Sequence, residues 1–371
     1  MNHRAIDSPY IEWAKLKSGA KYSLATSGVK SYPIAELPVN FAELEINGPG
    51  GRYGFGPLIE RVARHAGTAE ECVVTAIGTS LANFLVYAAT IEPGDDVLIE
   101  HPAYGPMIEA PQFLGANIRY FPRRFEDGFS ADPEEIRRAM TPRTRLIVLT
   151  NLHNPSGALI SDQALREIGE IAARARAHVV IDEVYLDMLA MTDAAKRPEA
   201  PLRSAFHLGE NFVITTSLTK VYGLSGLRCG WILAPRELAK KMWRVGDLFE
   251  NIPAHIPEQI SCVAFDNLQK IAARTRALLV ANRKLLDAFL ASRKDLEFVT
   301  PVAGTVVFPK LRRGKTEEFV QLLREKYETS VVPGHFFAMP EHFRVGIGGD
   351  TELLRIGLER MSAALDEFGR S

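Results

Sequence analysis

The sequence predicts an α/β fold: a large domain with a mainly parallel, seven-stranded sheet between helices, followed by a small α+β domain. Three observations carry this. Seven short apolar runs, at 72–76, 97–100, 118–121, 146–150, 178–182, 212–216 and 230–234, are mostly rich in Val and Ile and lack polar alternation. Such runs fit strands buried on both faces. Helical patterns stand between them, and that alternation builds parallel sheets covered by helices. After about Trp231 the rhythm changes to long charged helices and very short strands.

In chain order, residues 1–40, which hold Pro33 and Pro38, read as irregular and as packing against the small domain. A helix over 57–66 opens at Gly56-Pro57, because proline suits the first helical turn. Helices follow at 80–91, 133–140 and 161–177. Segment 237–251 reads as helical with an interruption near Gly246, and one long charged helix as running over 257–292. Strands at 297–299, 305–308, 330–332 and 343–347, with helices at 316–328 and 351–368, complete the tail.

The chain has 371 residues, which at about 150 per domain suggests about two or three domains. Lys+Arg is 44 and Asp+Glu 45, a formal net charge of -1. That argues against a nucleic-acid binder with a broad basic face and against a polybasic membrane anchor. Apolar residues at 46% and charged residues at 24% exclude extensive disorder. Cys72, Cys229 and Cys262 are odd in number and far apart, which points to a reducing compartment. The N-terminus has no apolar signal core, and no stretch approaches the ~18 apolar residues of a membrane span. A soluble cytoplasmic enzyme is expected.

Four motifs sit at strand ends, where open α/β sheets bind ligands. Ser217-Leu218-Thr219-Lys220 follows the run at 212–216, with Gly226-Leu227-Arg228-Cys229-Gly230 just beyond. Its lysine can hold an aldehyde as a Schiff base, and its hydroxyl and guanidinium suit a phosphate. Read alone, Lys220 is more simply a surface lysine in a loop, which is what most lysines are. Asp182-Glu183-Val184-Tyr185 ends another buried run. An aspartate there needs a partner, which a protonated pyridine nitrogen or a helix start would supply. Asn154-Pro155-Ser156-Gly157 is a turn sequence after 146–150, and Gly78-Thr79-Ser80 offers hydroxyls and helix-start N–H groups to a phosphate. The nine histidines show no metal-binding spacing. The glycine-rich Gly48-Pro49-Gly50-Gly51 lacks a following GK[ST], and no GxGxxG follows the first strand, so a nicotinamide dehydrogenase is not supported. Trp13, Trp231 and Trp243 read as packing residues, and Arg274, Arg276, Arg283 and Lys284 as a solvated helix face.

Together these motifs resemble the aspartate-aminotransferase-like family of pyridoxal-phosphate enzymes, fold type I, aminotransferase class I/II, from about Gly28 to the last helix. The resemblance implies the cofactor pyridoxal 5'-phosphate and puts its lysine linkage on Lys220. It implies Ser217, Arg228, Gly78, Thr79 and Ser80 on the phosphate, Asp182 on the ring nitrogen, Tyr185 and Asn154 on the ring oxygen, and Tyr104 stacked on the ring. Arg344 matches the arginine that grips the substrate α-carboxylate, Gly28 a substrate-side loop, and Tyr53 a tyrosine lent by the neighbouring subunit of a homodimer. Leu152 replaces a proline common in relatives, the Tyr53–Gly56 spacing is short, and His335 stands where a small polar residue is usual, a candidate for specificity or a plain loop histidine.

The implied activity is ping-pong transfer of an amino group between an amino acid and a 2-oxo acid, with Lys220 as general base. Carbon–sulfur β-lyases, decarboxylases and cyclising synthases share these residues and stay open as alternatives. An aminotransferase-like regulator would need an N-terminal DNA-binding extension, for which there is no room before Gly28. The resemblance also implies a large domain at 41–250 and a small one made of 1–40 with 251–371.

Overall fold

The computed structural model describes residues 7–191 and 204–370; the first six, read above as lacking a signal core, lie outside them. The chain opens with α1 (Pro9–Leu16) and β1 (Tyr22–Ser23). It then runs through α2 (Gly56–Ala66), β2 (Val73–Ile77), α3 (Thr79–Thr90), β3 (Asp96–His101), α4 (Gly105–Phe113), β4 (Asn117–Pro122), α5 (Pro133–Ala139), β5 (Thr144–Thr150), α6 (Asp162–Arg174), β6 (His178–Asp182), β7 (Phe212–Ser217), β8 (Cys229–Leu233) and α7 (Arg236–Gly246). The remainder comprises α8 (His255–Asp266), α9 (Leu268–Ser292), β9 (Leu296–Glu297), β10 (Val306–Val307), β11 (Lys310–Leu311), α10 (Thr316–Glu325), β12 (Thr329–Ser330), β13 (Val332–Pro333), β14 (Phe343–Gly346) and α11 (Thr351–Phe368).

The central sheet has seven strands in the order β2-β8-β7-β6-β5-β3-β4. All run parallel except β8, which is antiparallel to both its neighbours. Alternate residues of each strand face opposite sides. Leu98, Ile147, Val179, Ile214 and Trp231 join one hydrophobic cluster, while Val97, Leu146, Val180, Val213 and Ile232 join another. Both faces are therefore apolar, which is why the strands read as unbroken runs. A third cluster gathers Leu24 with side chains of α9, α10, α11 and β14.

Three expectations need correction. The first 40 residues are not wholly irregular: Pro9 starts α1, whose Tyr10 packs on Tyr104 rather than on the tail alone. Tyr32 and Leu37 likewise join the central cluster. The long helix over 257–292 is two helices, because Asn267 turns its side chain back to donate to the Val263 carbonyl at 2.8 Å. The basic face of that helix is solvated only in part: Arg276 and Lys284 are exposed, while half-buried Arg274 bonds the Ser31 carbonyl and half-buried Arg283 bonds Asp287 and the Pro301 carbonyl. Among the described residues no helix is long and apolar enough to cross a membrane.

Candidate active site

Because β2, β3, β5, β6 and β7 are parallel, their C-terminal ends share one edge of the sheet, the edge at which such sheets take ligands. Gly78, Tyr104, Asn154, Asp182 and Lys220 follow those ends. The antiparallel β8 starts at the same edge, so Arg228, just before it, arrives there too. A cavity of about 300 Å³ opens between them, lined by Thr79, Ser80, Tyr104, Asn154, Asp182, Tyr185, Ser217, Lys220 and Arg228 among others.

One side of the cavity suits an anion. α3 begins at Thr79, so its first N–H groups have no partner within the helix. Thr79 Oγ1 donates to Ser217 Oγ at 2.8 Å. Among the described residues the Arg228 guanidinium bonds only to the carbonyls of Ser225 and Ile77, both at 3.3 Å. Gly78 has φ 87, a conformation that favours glycine, and a Cβ there would push the Arg228 guanidinium aside.

Opposite lies Asp182. It is buried; Oδ1 accepts the Val184 N–H at 3.0 Å, while Oδ2 has only a long 3.5 Å contact from Asn83 Nδ2. Burial pushes its pKa up to about 6. Asn83 is itself oriented by Thr215, whose hydroxyl donates to Asn83 Oδ1 at 2.6 Å. Lys220 Nζ donates to Ser27 Oγ at 3.1 Å. Burial and then the nearby Arg344 lower the amine to about 8. Gly28 lies against Lys220: a Cβ there would sit 3.3 Å from its Cδ. Burial raises the Tyr185 and Tyr104 phenols far above their ordinary values, so both stay protonated donors.

Arg344, on β14, is fully buried. Its Nη1 donates to Asn154 Oδ1 at 2.8 Å, and its Nη2 to the Tyr10 hydroxyl at 2.9 Å and the Ala25 carbonyl at 3.0 Å. Nε has no partner.

Gly28, Gly78 and Arg344 touch residues that line this cavity without lining it themselves, whereas Tyr53 and His335 are engaged elsewhere. The Tyr53 hydroxyl donates to Asp247 at 2.9 Å and its ring stacks on Trp243. His335 is exposed, lies against the Phe336 ring and faces Glu317 at 3.8 Å.

Tyr10, Ser27 and Asn83 line the cavity and were not foreseen. Each had a local signal. Ser8-Pro9 is a helix start, Ser27 adjoins Gly28, and Asn83 lies one helical turn after Thr79. A buried network beneath the site was missed as well. Arg123 and Glu100, both inaccessible, pair at 2.6 Å. His153 Nε2 meets the Pro102 carbonyl at 2.9 Å, so that nitrogen carries the proton, and Nδ1 accepts from Ser156 Oγ at 2.6 Å. His153 thereby ties the turn bearing Asn154 to the turn bearing Tyr104.

A family model described as aminotransferase class I and II matches residues 42–361. Capreomycidine synthase of Streptomyces vinaceus is 28% identical over 375 residues, covering 98% of this chain and 95% of that protein. Among solved structures, a pyridoxal-phosphate-dependent aminotransferase from Streptococcus suis matches with a TM-score of 0.90 and 26% identity, over 99% of both chains. The pyridoxal-phosphate-dependent cyclase OrfR matches at 0.86 and 26%, over 99% of this chain and 98% of that one.

Proposed function

This chain belongs to the aminotransferase class I and II family, and from that premise we propose that it moves an amino group between an α-amino acid and a 2-oxo acid by a ping-pong mechanism. The cofactor of the family is pyridoxal phosphate. The cavity fits it: Asp182 has an under-bonded buried carboxylate oxygen, and Arg228, beside two hydroxyls and a helix start, has no anionic partner among the described residues.

Pyridoxal phosphate, when bound, supplies an electron sink for the bonds of the substrate's α-carbon. Gly78, Thr79, Ser80, Ser217 and Arg228 would hold its phosphate, and Tyr104 would cover the ring. Asp182 would take the ring N–H, Asn154 and Tyr185 the ring oxygen, and Lys220 the aldehyde carbon. Lys220 then acts as the base that takes the proton from the substrate's α-carbon, a role its lowered pKa supports. Gly28 leaves the lysine stem room to move.

The observation that carries the amino-acid reading is Arg344. It is a fully buried guanidinium with no acidic partner among the described residues, bonded to Asn154 and Tyr10 at the wall of the Lys220 cavity. An unpaired buried cation costs several kcal/mol, so an incoming carboxylate would be its natural counter-ion.

The working unit would be a cytoplasmic homodimer in which Tyr53 serves the neighbour's phosphate site. Ile46, Tyr53, Leu248, Phe249 and Ile252 are exposed apolar side chains, and three of them line one cavity of about 660 Å³. The large domain would span 41–250, and the small one 1–40 with 251–371.

A second reading is cyclisation of an amino acid, favoured by the similarity to capreomycidine synthase along nearly the whole chain. One screen separates the two. The holoenzyme is mixed with single amino acids and the products are weighed by mass spectrometry. A 2-oxo acid supports transfer, and a cyclic amino acid supports the second reading. Pyruvate with ammonia, or carbon dioxide, would refute both in favour of a lyase or decarboxylase. Borohydride should attach the cofactor to Lys220, and Lys220→Ala should abolish the attachment.

A further inference from the structure

A carboxylate is gripped by arginine through two parallel N–H bonds, drawn either from both terminal nitrogens or from Nε and the terminal nitrogen beside it, Nη2. Both forks use Nη2. In Arg344 both hydrogens of Nη2 are already engaged, one by the Ala25 carbonyl at 3.0 Å and one by the Tyr10 hydroxyl at 2.9 Å. Nε–H is unpartnered, and Nη1 gives one hydrogen to Asn154. A substrate carboxylate can therefore complete a fork only where an Nη2 partner yields.

The two partners differ in how freely they can yield. Ala25 presents a backbone carbonyl on the segment that continues β1, fixed by Leu24 N–H to the Ser330 carbonyl and by Gly346 N–H to the Leu24 carbonyl. Tyr10 presents a neutral hydroxyl at the end of a side chain, on a helix of eight residues. Its ring is held without hydrogen bonds, edge-on to Tyr104 at 5.4 Å and to Phe336 at 5.7 Å and beneath the Arg344 guanidinium at 5.8 Å. While it accepts from Arg344, its own O–H proton has no acceptor among the described residues. It lines the same cavity as Lys220.

We propose that Tyr10 is a substrate-binding residue: its hydroxyl holds the carboxylate position on Arg344 and, when the α-carboxylate arrives, turns from acceptor into donor to that same carboxylate. The clamp is then Arg344 and Tyr10 together, and helix α1 reports on whether it is occupied. This inference rests on the reading of Arg344 as the carboxylate site. A phenol O–H to a carboxylate is a charge-assisted bond, and its loss corresponds to about a tenfold weaker complex.

The test uses the lysine-bound holoenzyme and two probes of equal length, propionate and 1-propylamine, followed by titration of the cofactor absorbance. Tyr10→Phe keeps the ring contacts and removes only the hydroxyl. The expected result is an approximately tenfold higher Kd for propionate, with the 1-propylamine response unchanged. Hydrogen exchange of residues 9–16 should change on adding propionate to the wild type and not on adding the amine. Propionate binding to Tyr10→Phe as tightly as to the wild type, or more tightly, overturns the proposal. Arg344→Gln is the control: if it leaves propionate binding intact, Arg344 is not the carboxylate site, and the reading beneath the proposal fails first.

Discussion

The acid–base behaviour of Lys220 is the sharpest consequence of the cavity. An ordinary lysine amine titrates at 10.5, and here burial, reinforced by the positive charges of Arg344 and Arg228, brings it to about 8, with Asp182 opposing the shift. At neutral pH this multiplies the free-base fraction about three-hundredfold. The perturbation is Arg344→Gln, which removes the larger of the two repelling charges and must raise the Lys220 pKa. Asp182→Asn removes the attracting charge and must lower it. The assay is competitive acetylation of the cofactor-free protein across pH 6–11, with Lys220 modification read by peptide mass spectrometry against surface lysines such as Lys294. Lys220 should reach half-maximal reactivity near pH 8 and the two variants should move it in opposite directions. Titration near 10.5, or a shift of the same sign in both variants, would refute the electrostatic account.

Asp182→Ala should lower turnover at least about a hundredfold while borohydride still attaches the cofactor to Lys220; near-normal rates in single-turnover absorbance would exclude a role at the ring nitrogen. Arg123→Met strands the Glu100 carboxylate without its partner and should cost about 3–5 kcal/mol in urea unfolding, whereas a loss under about 1 kcal/mol would show the pair is not closed to water. His342 is buried with Nδ1 3.4 Å from the Glu341 carboxylate, and burial, only partly opposed by that charge, pushes its pKa down to about 4. The folded state therefore favours the neutral ring. Its contribution is complete above the unfolded value of 6.5 and is lost as pH falls from there towards 4. His342→Phe should flatten that stretch of the stability–pH curve, and an unchanged slope would mean that other groups produce it.

Much of this protein was legible in its amino acids because the relevant interactions are local or periodic. Strands covered on both faces must be apolar at successive positions, so β3, β5, β6 and β7 showed as plain runs. Residues that follow a strand in sequence also follow it in space, so Asp182, Asn154, Ser217 and Lys220 fall on one edge by their place in the sequence. The direction of β8 could not be read, because a strand buried on both faces has the same composition whichever way it runs. The break at Asn267 depends on where one side chain turns, and periodicity does not record that.

What only the tertiary structure decided were the contacts between segments far apart in the chain. Tyr10 and Arg344 are separated by 334 positions and share one hydrogen bond. Lys220 and Ser27 are 193 apart. Arg123, Glu100 and His153 look like surface residues until packing removes their water and leaves them one another, the Ser156 hydroxyl and backbone carbonyls as partners. Local pattern reports which residues enter an element; the desolvation that lowers Lys220, raises Asp182 and leaves Arg344 without a counter-ion exists only once distant elements have closed around them.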